Sequence, residues 1–162
     1  MRKGLPHDCG GFTLVELMIT VVISGLLFSG ALTAYRGLSA RQVVKQAGIS
    51  FQTDLKSYQQ KALAGTKPIA CVAGDTIAGY QVSYVDEDSY SVVAVCSLGL
   101  PAVAEVNLPQ GVEFQVAFNP GDIFFPVLVA NITGAQTIVL TKDTYSYQVI
   151  IEPSGVIRGQ ML

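Results

Sequence analysis

Glu16 is the one charged residue between Phe12 and Tyr35 in an otherwise apolar run. At the centre of a bilayer a carboxylate costs roughly 2.5–3.5 kcal/mol or more, so such a group needs a partner and marks a function by default. The chemistry it offers is ion pairing in a dry setting, not catalysis. The one histidine, His7, lies upstream of the run, so the rest of the chain has no imidazole for a triad, a general base or a metal. There is no Gly-x-Ser-x-Gly elbow, no P-loop and no Cys-x-x-Cys pair. No catalytic residue, cofactor or metal site is expected. The acidic turn Asp86-Glu87-Asp88 offers oxygens of the kind calcium takes, but adjacent acids at a turn are more commonly just solvated.

The elements that place Glu16 follow from length and order. Phe12 to Tyr35 spans 24 residues, about 36 Å as a helix at ~1.5 Å per residue, against a hydrocarbon core of about 30 Å. Arg2 and Lys3 precede it, which places the N-terminus in the cytoplasm and the bulk of the chain outside. A secretory signal carries its small-residue cleavage site after the apolar stretch. Here Gly10-Gly11 stands before it, so a cut at Gly11 leaves the apolar segment in the mature protein.

The stretch Gly11-Phe12-Thr13-Leu14-Val15-Glu16 resembles the class III signal of type IV pilins and type II secretion pseudopilins. The resemblance implies cleavage by a prepilin peptidase between Gly11 and Phe12, N-methylation of Phe12, and Glu16 as an assembly residue. A helix N-terminus carries about half a positive charge. The Phe12 amine of a neighbouring subunit is then the natural partner for Glu16, and pairing offsets the burial cost of both groups. The implied partners are other pilin or pseudopilin subunits, the peptidase, the inner membrane and a pilus or secretion assembly platform. The implied localisation is a single inner-membrane pass with a periplasmic head, later incorporated into the filament.

The chain divides into four expected parts. These are a leader peptide 1–11, a transmembrane or filament-core helix 12–35, an amphipathic helix 36–65 and a β-rich head 66–162. Val44, Ala47, Phe51, Leu55, Tyr58 and Ala62 recur at spacings of three and four, a helical stripe. Gly65 and Pro68 form a stop signal. One helix from about Thr13 to Ala64 is expected. Beyond Pro68 the period changes to two. Tyr80–Val85 and Tyr90–Cys96 read as a hairpin around Asp86-Glu87-Asp88. Further strands are expected at Ala102–Asn107, Val112–Phe118, Phe124–Ala130, Gln136–Leu140, Tyr145–Ile151 and Gly155–Arg158. Proline and glycine turns separate them. The fold class is α+β, a long N-terminal helix on a mainly antiparallel head.

Charge is unevenly spread. Residues 36–65 hold five basic residues against Asp54, a net +4, whereas 66–162 hold three basic residues against nine acids, a net −6. A basic stem and an acidic head attract one another between neighbouring subunits; the simpler reading is a solvated face and a solubilised domain. The ending Ile150–Arg158, with its Pro153-Ser154-Gly155 turn, is similar to minor pseudopilins of the GspH/FimT type. Relatives there bind DNA through basic residues near the C-terminus. Here only Arg158 is available, beside Glu152, and an acidic head is a poor footprint for phosphates. A DNA-binding competence subunit therefore stands as one alternative. A single-pass anchored domain with no filament role stands as another. Cys9 would leave with the leader. Cys71 and Cys96 remain as an even pair outside the cytoplasm, where a disulfide is expected to persist, with two buried free thiols as the alternative.

Overall fold

The computed structural model describes residues 13–69, 71, 74–97 and 103–162, without the side chains of 29–36 and 103. The elements are one helix, α1 (Leu14–Leu63), and eight strands: β1 (Ile77–Asp86), β2 (Ser89–Cys96), β3 (Val103–Asn107), β4 (Glu113–Phe114), β5 (Ile123–Pro126), β6 (Thr137–Lys142), β7 (Tyr145–Ile151) and β8 (Ile157–Met161). The chain separates into two compact units, Met1–Leu38 and Ser39–Leu162.

In the second unit the strands form two four-stranded antiparallel sheets, ordered β3-β2-β1-β5 and β4-β6-β7-β8. The fold is α+β with an antiparallel head. Alternation fixes the register. Val82 lies opposite Val92 and Tyr80 opposite Ala94, and Leu140 lies opposite Tyr147 and Ile138 opposite Val149. All eight side chains are buried. A slip by one residue would turn each set to solvent. Val44, Ala47, Phe51, Leu55 and Ala62 of α1 join both sets in one core. Phe51 sits among rings, 5.0 Å from Tyr90 and 5.5 Å from Phe114, both edge-on, the arrangement that aromatic quadrupoles favour.

The helix stops where its glycine allows. Gly65 has φ +61°, its N–H bonds Ala62 O at 3.0 Å, and the Thr66 N–H bonds Lys61 O at 2.9 Å. This pair of bonds closes the last carbonyls in a Schellman motif. Polar side chains then pin the stem to the head. Gln52 and Gln59 donate to the carbonyls of Ile157 and Gly155 at 3.1 and 2.7 Å, and the Tyr90 hydroxyl donates to Asp54 Oδ2 at 2.7 Å.

Three strands differ from expectation. The segment 112–118 contributes only Glu113–Phe114, because Phe118 leaves the ladder to join the ring cluster, 5.3 Å from Phe114. The segment 124–130 ends as a strand at Pro126. Beyond it Leu128 takes φ +62° and its N–H reaches Ala62 O at 3.2 Å, so the chain turns from the sheet to the helix end. The last strand begins at Ile157, since Pro153–Gly155 form the turn that precedes it. There the Gly155 N–H bonds Glu152 O at 2.9 Å.

Candidate assembly site

Thr13 and Glu16 build the start of α1. The Glu16 N–H donates to Thr13 Oγ1 at 3.3 Å, and the Leu17 N–H makes the first helical bond to Thr13 O at 3.2 Å. Thr13 is thus an N-cap with Glu16 three residues on, the T-x-x-E pattern of a capping box. The sequence carries that signature openly, so the cap was legible beside the processing motif. Glu16 also stands in the first turn, where the helix dipole favours an anion. Among the described residues no basic side chain pairs with it. Gly11 and Phe12, the expected cleavage site and the expected amine, lie outside the described residues.

Around Glu16 the helix is apolar on every side. Leu14, Val15, Leu17, Met18, Ile19, Val21, Val22, Ile23, Leu27 and Phe28 are all more than half exposed, from 52% at Ile23 to 77% at Leu14. A helix that is hydrophobic all round is one meant for burial. Among the described residues no helix is long and apolar enough to cross a membrane.

The other candidate residues lie in the head. Cys71 and Cys96 are joined by a disulfide, with 5.8 Å between Cα atoms. It ties the segment after α1 to the end of β2. Asp75 lies close enough to both sulfurs to complete a metal-ligand set on paper. Its carboxylate, however, accepts from Ser97 Oγ, and the two sulfurs bond each other. At the β1–β2 turn Asp86 Oδ1 accepts the Glu87 N–H at 2.8 Å. Arg158, the candidate for phosphate contact, pairs with Glu152 at 3.4 Å, so its charge is already met within the chain.

Tyr90 shows why Asp54 sits in an otherwise basic stem. The ring is 1% exposed. Burial first, and then the hydrogen bond and charge of Asp54, push its hydroxyl well above the usual phenol range. The hydroxyl therefore stays a donor and Asp54 its acceptor.

The helix begins with a capped, acid-bearing apolar turn and its later half packs on a small antiparallel head, an α+β, pilin-like fold. The family described as "Prokaryotic N-terminal methylation motif" matches residues 6–32. Two fimbrial proteins of Pseudomonas aeruginosa are each 34% identical over 76 residues, 47% of this chain and 49% of the relative. The chain thus spans about half the length of the curated relatives it matches. No solved structure matches it. The motif match covers only the N-terminal segment, and over the matched half the chain is similar to these fimbrial proteins.

Proposed function

We propose that this chain is a structural subunit, of the minor kind, of a type IV pilus or a type II secretion pseudopilus, with no catalytic role. The observation that carries the reading is the exposed, all-round apolar start of α1 with Glu16 as its one acid. Such a surface needs lipid before assembly and other helices after it.

A prepilin peptidase cuts between Gly11 and Phe12, and Phe12 is methylated. Segment 12–35 then holds the chain in the inner membrane in a single pass, with the head 66–162 in the periplasm and the amphipathic helix 36–65 linking them. On extraction into a filament, Glu16 receives the Phe12 ammonium of a neighbour. The pairing removes the cost of burying either charge alone and fixes the axial register of the subunits. Cys71–Cys96 ties down the start of the head in that oxidising compartment. The relatives named fimbrial proteins support the filament role.

The test is Glu16→Ala in the full-length chain. Normal processing with loss of filament incorporation is the expected result. Incorporation at the level of the unmodified protein would remove Glu16 from the assembly mechanism.

A further inference from the structure

One face of α1 in the second unit is charged, grooved and unused by the fold. Arg41, Lys45, Ile49 and Lys56 follow one another by one, one and about two turns, so they share a side of the helix. The three cations are exposed and Ile49 is 38% exposed. Beside them Ser39, Gln42, Val43, Lys45, Gln46 and Ile49 line a groove of about 560 Å³. Among the described residues none of the three cations has an ion-pair partner.

The complementary surface is on the same molecule. The β1–β2 turn presents Val85, 47% exposed, followed by the exposed acids Asp86, Glu87 and Asp88. None of these acids has an ion-pair partner among the described residues either. The turn is held by Asp88 O, which accepts the Leu108 N–H at 2.7 Å, and Glu87 O, which accepts the Phe114 N–H at 2.6 Å. Leu108 and Pro109 look onto the adjoining side of α1, where Ser50 and Asp54 lie, with Gln46 on the border between it and the groove. The chain's own turn is thus tied through Leu108 to the Ser50–Asp54 side of α1, and none of its acids pairs with the basic stripe among the described residues.

We propose that the Arg41–Lys45–Ile49–Lys56 face is an interface for a second copy of this chain, which seats its Val85–Asp88 turn there. Each side offers one exposed aliphatic residue bordered by unpaired charges, positive on the stem and negative on the turn. Such a contact is heterologous, so that adjacent copies join stem to head in a short run within the filament. It rests on the filament reading and adds to it a second contact, remote from Glu16, that selects copies by charge.

The test is disulfide trapping of the full-length chain in the cells that produce it. The pair Lys45→Cys and Glu87→Cys should give a ladder of multimers on non-reducing gels. Adding Arg41→Glu and Lys56→Glu should reduce it, by roughly two- to fivefold for each attraction lost. Adding Asp86→Lys and Asp88→Lys to those reversals should restore it. The fraction of processed, filament-incorporated protein is followed in parallel. Normal incorporation with no ladder and no effect of the reversals overturns this contact and leaves the filament reading standing. Absent incorporation of the unmodified chain overturns both. If instead the reversals abolish retention of a random-sequence duplex DNA, and the turn reversals do not restore it, the stripe is a nucleic-acid surface and the proposal fails.

Discussion

Gly48→Ala pits two effects of known size against each other. Alanine in a helix interior is favoured over glycine by about 1 kcal/mol, so on helix propensity alone the substitution stabilises. The packing says the opposite. A Cβ on Gly48 would stand 2.1 Å from Tyr147 Cδ1 and 2.4 Å from Cγ. Tyr147 is 5% exposed, and its other end is confined too, since a Cβ on Gly159 would meet its hydroxyl at 2.3 Å. Neither glycine has a positive φ. Both are there to leave room, one on α1 and one on β8, for a ring that fastens the helix to the sheet. Overpacking a site of this kind costs about 1–3 kcal/mol, and expelling the ring costs about 3–5 kcal/mol on the scale of aromatic truncations. A Cβ 2.1 Å from the ring expels it, and set against the helix gain the net loss is then about 2–4 kcal/mol. At about 4 °C per kcal/mol for a domain of this size, Tm falls by about 8–16 °C. Thermal unfolding of the full-length protein in detergent, followed by near-ultraviolet circular dichroism of the tyrosines, reads it. Adding Tyr147→Leu should recover part of the loss, because the two sites share one volume. A Gly48→Ala protein that melts at or above the unmodified Tm would refute the slot.

Three further outcomes follow from the head. Replacing Cys71 and Cys96 together by serine opens a crosslink across 25 residues and should cost about 3 kcal/mol, seen as a lower urea midpoint with a steeper slope, because the freed unfolded chain exposes more surface. Gly65→Ala forces a Cβ onto a residue at φ +61° and should cost about 1 kcal/mol in the same assay. Tyr90 is held neutral in the fold while its unfolded form ionises near 10.0. The unfolded chain therefore releases its proton first, and stability should be full below pH 10 and decline as pH rises beyond it. Tyr90→Phe should flatten that decline and, by removing the donor to half-buried Asp54, should cost about 1.5 kcal/mol at neutral pH.

Much of this molecule is written locally. The end of α1 follows from Gly65 and Pro68, and its buried stripe from the spacing of Val44, Ala47, Phe51, Leu55 and Ala62. The strand 145–151 follows from alternation. What local pattern cannot show is which residues meet across the chain. Val112–Phe118 alternates well enough for a strand, but Phe118 is worth more in the ring cluster around Phe51 than in a ladder. Leu128 reads as strand and instead turns to bond Ala62, because the chain must close onto the helix end. Gly48 and Gly159 lie inside α1 and β8, where local pattern gives a glycine no role. Only the placement of Tyr147 between them gives the reason. At the assembly site the motif names the expected acid and cleavage point, and among the described residues no basic side chain pairs with Glu16.

The central claim is that Met1–Gly11 is removed and Phe12 becomes the methylated start of an assembling helix. Intact mass and N-terminal sequencing of the full-length chain, co-produced with a prepilin peptidase, test it most directly. The account predicts a chain that begins at Phe12 and carries one added methyl group, and a chain left uncut when Gly11 is replaced by a bulky residue. A product that retains Met1–Gly11 in the presence of active peptidase would contradict it.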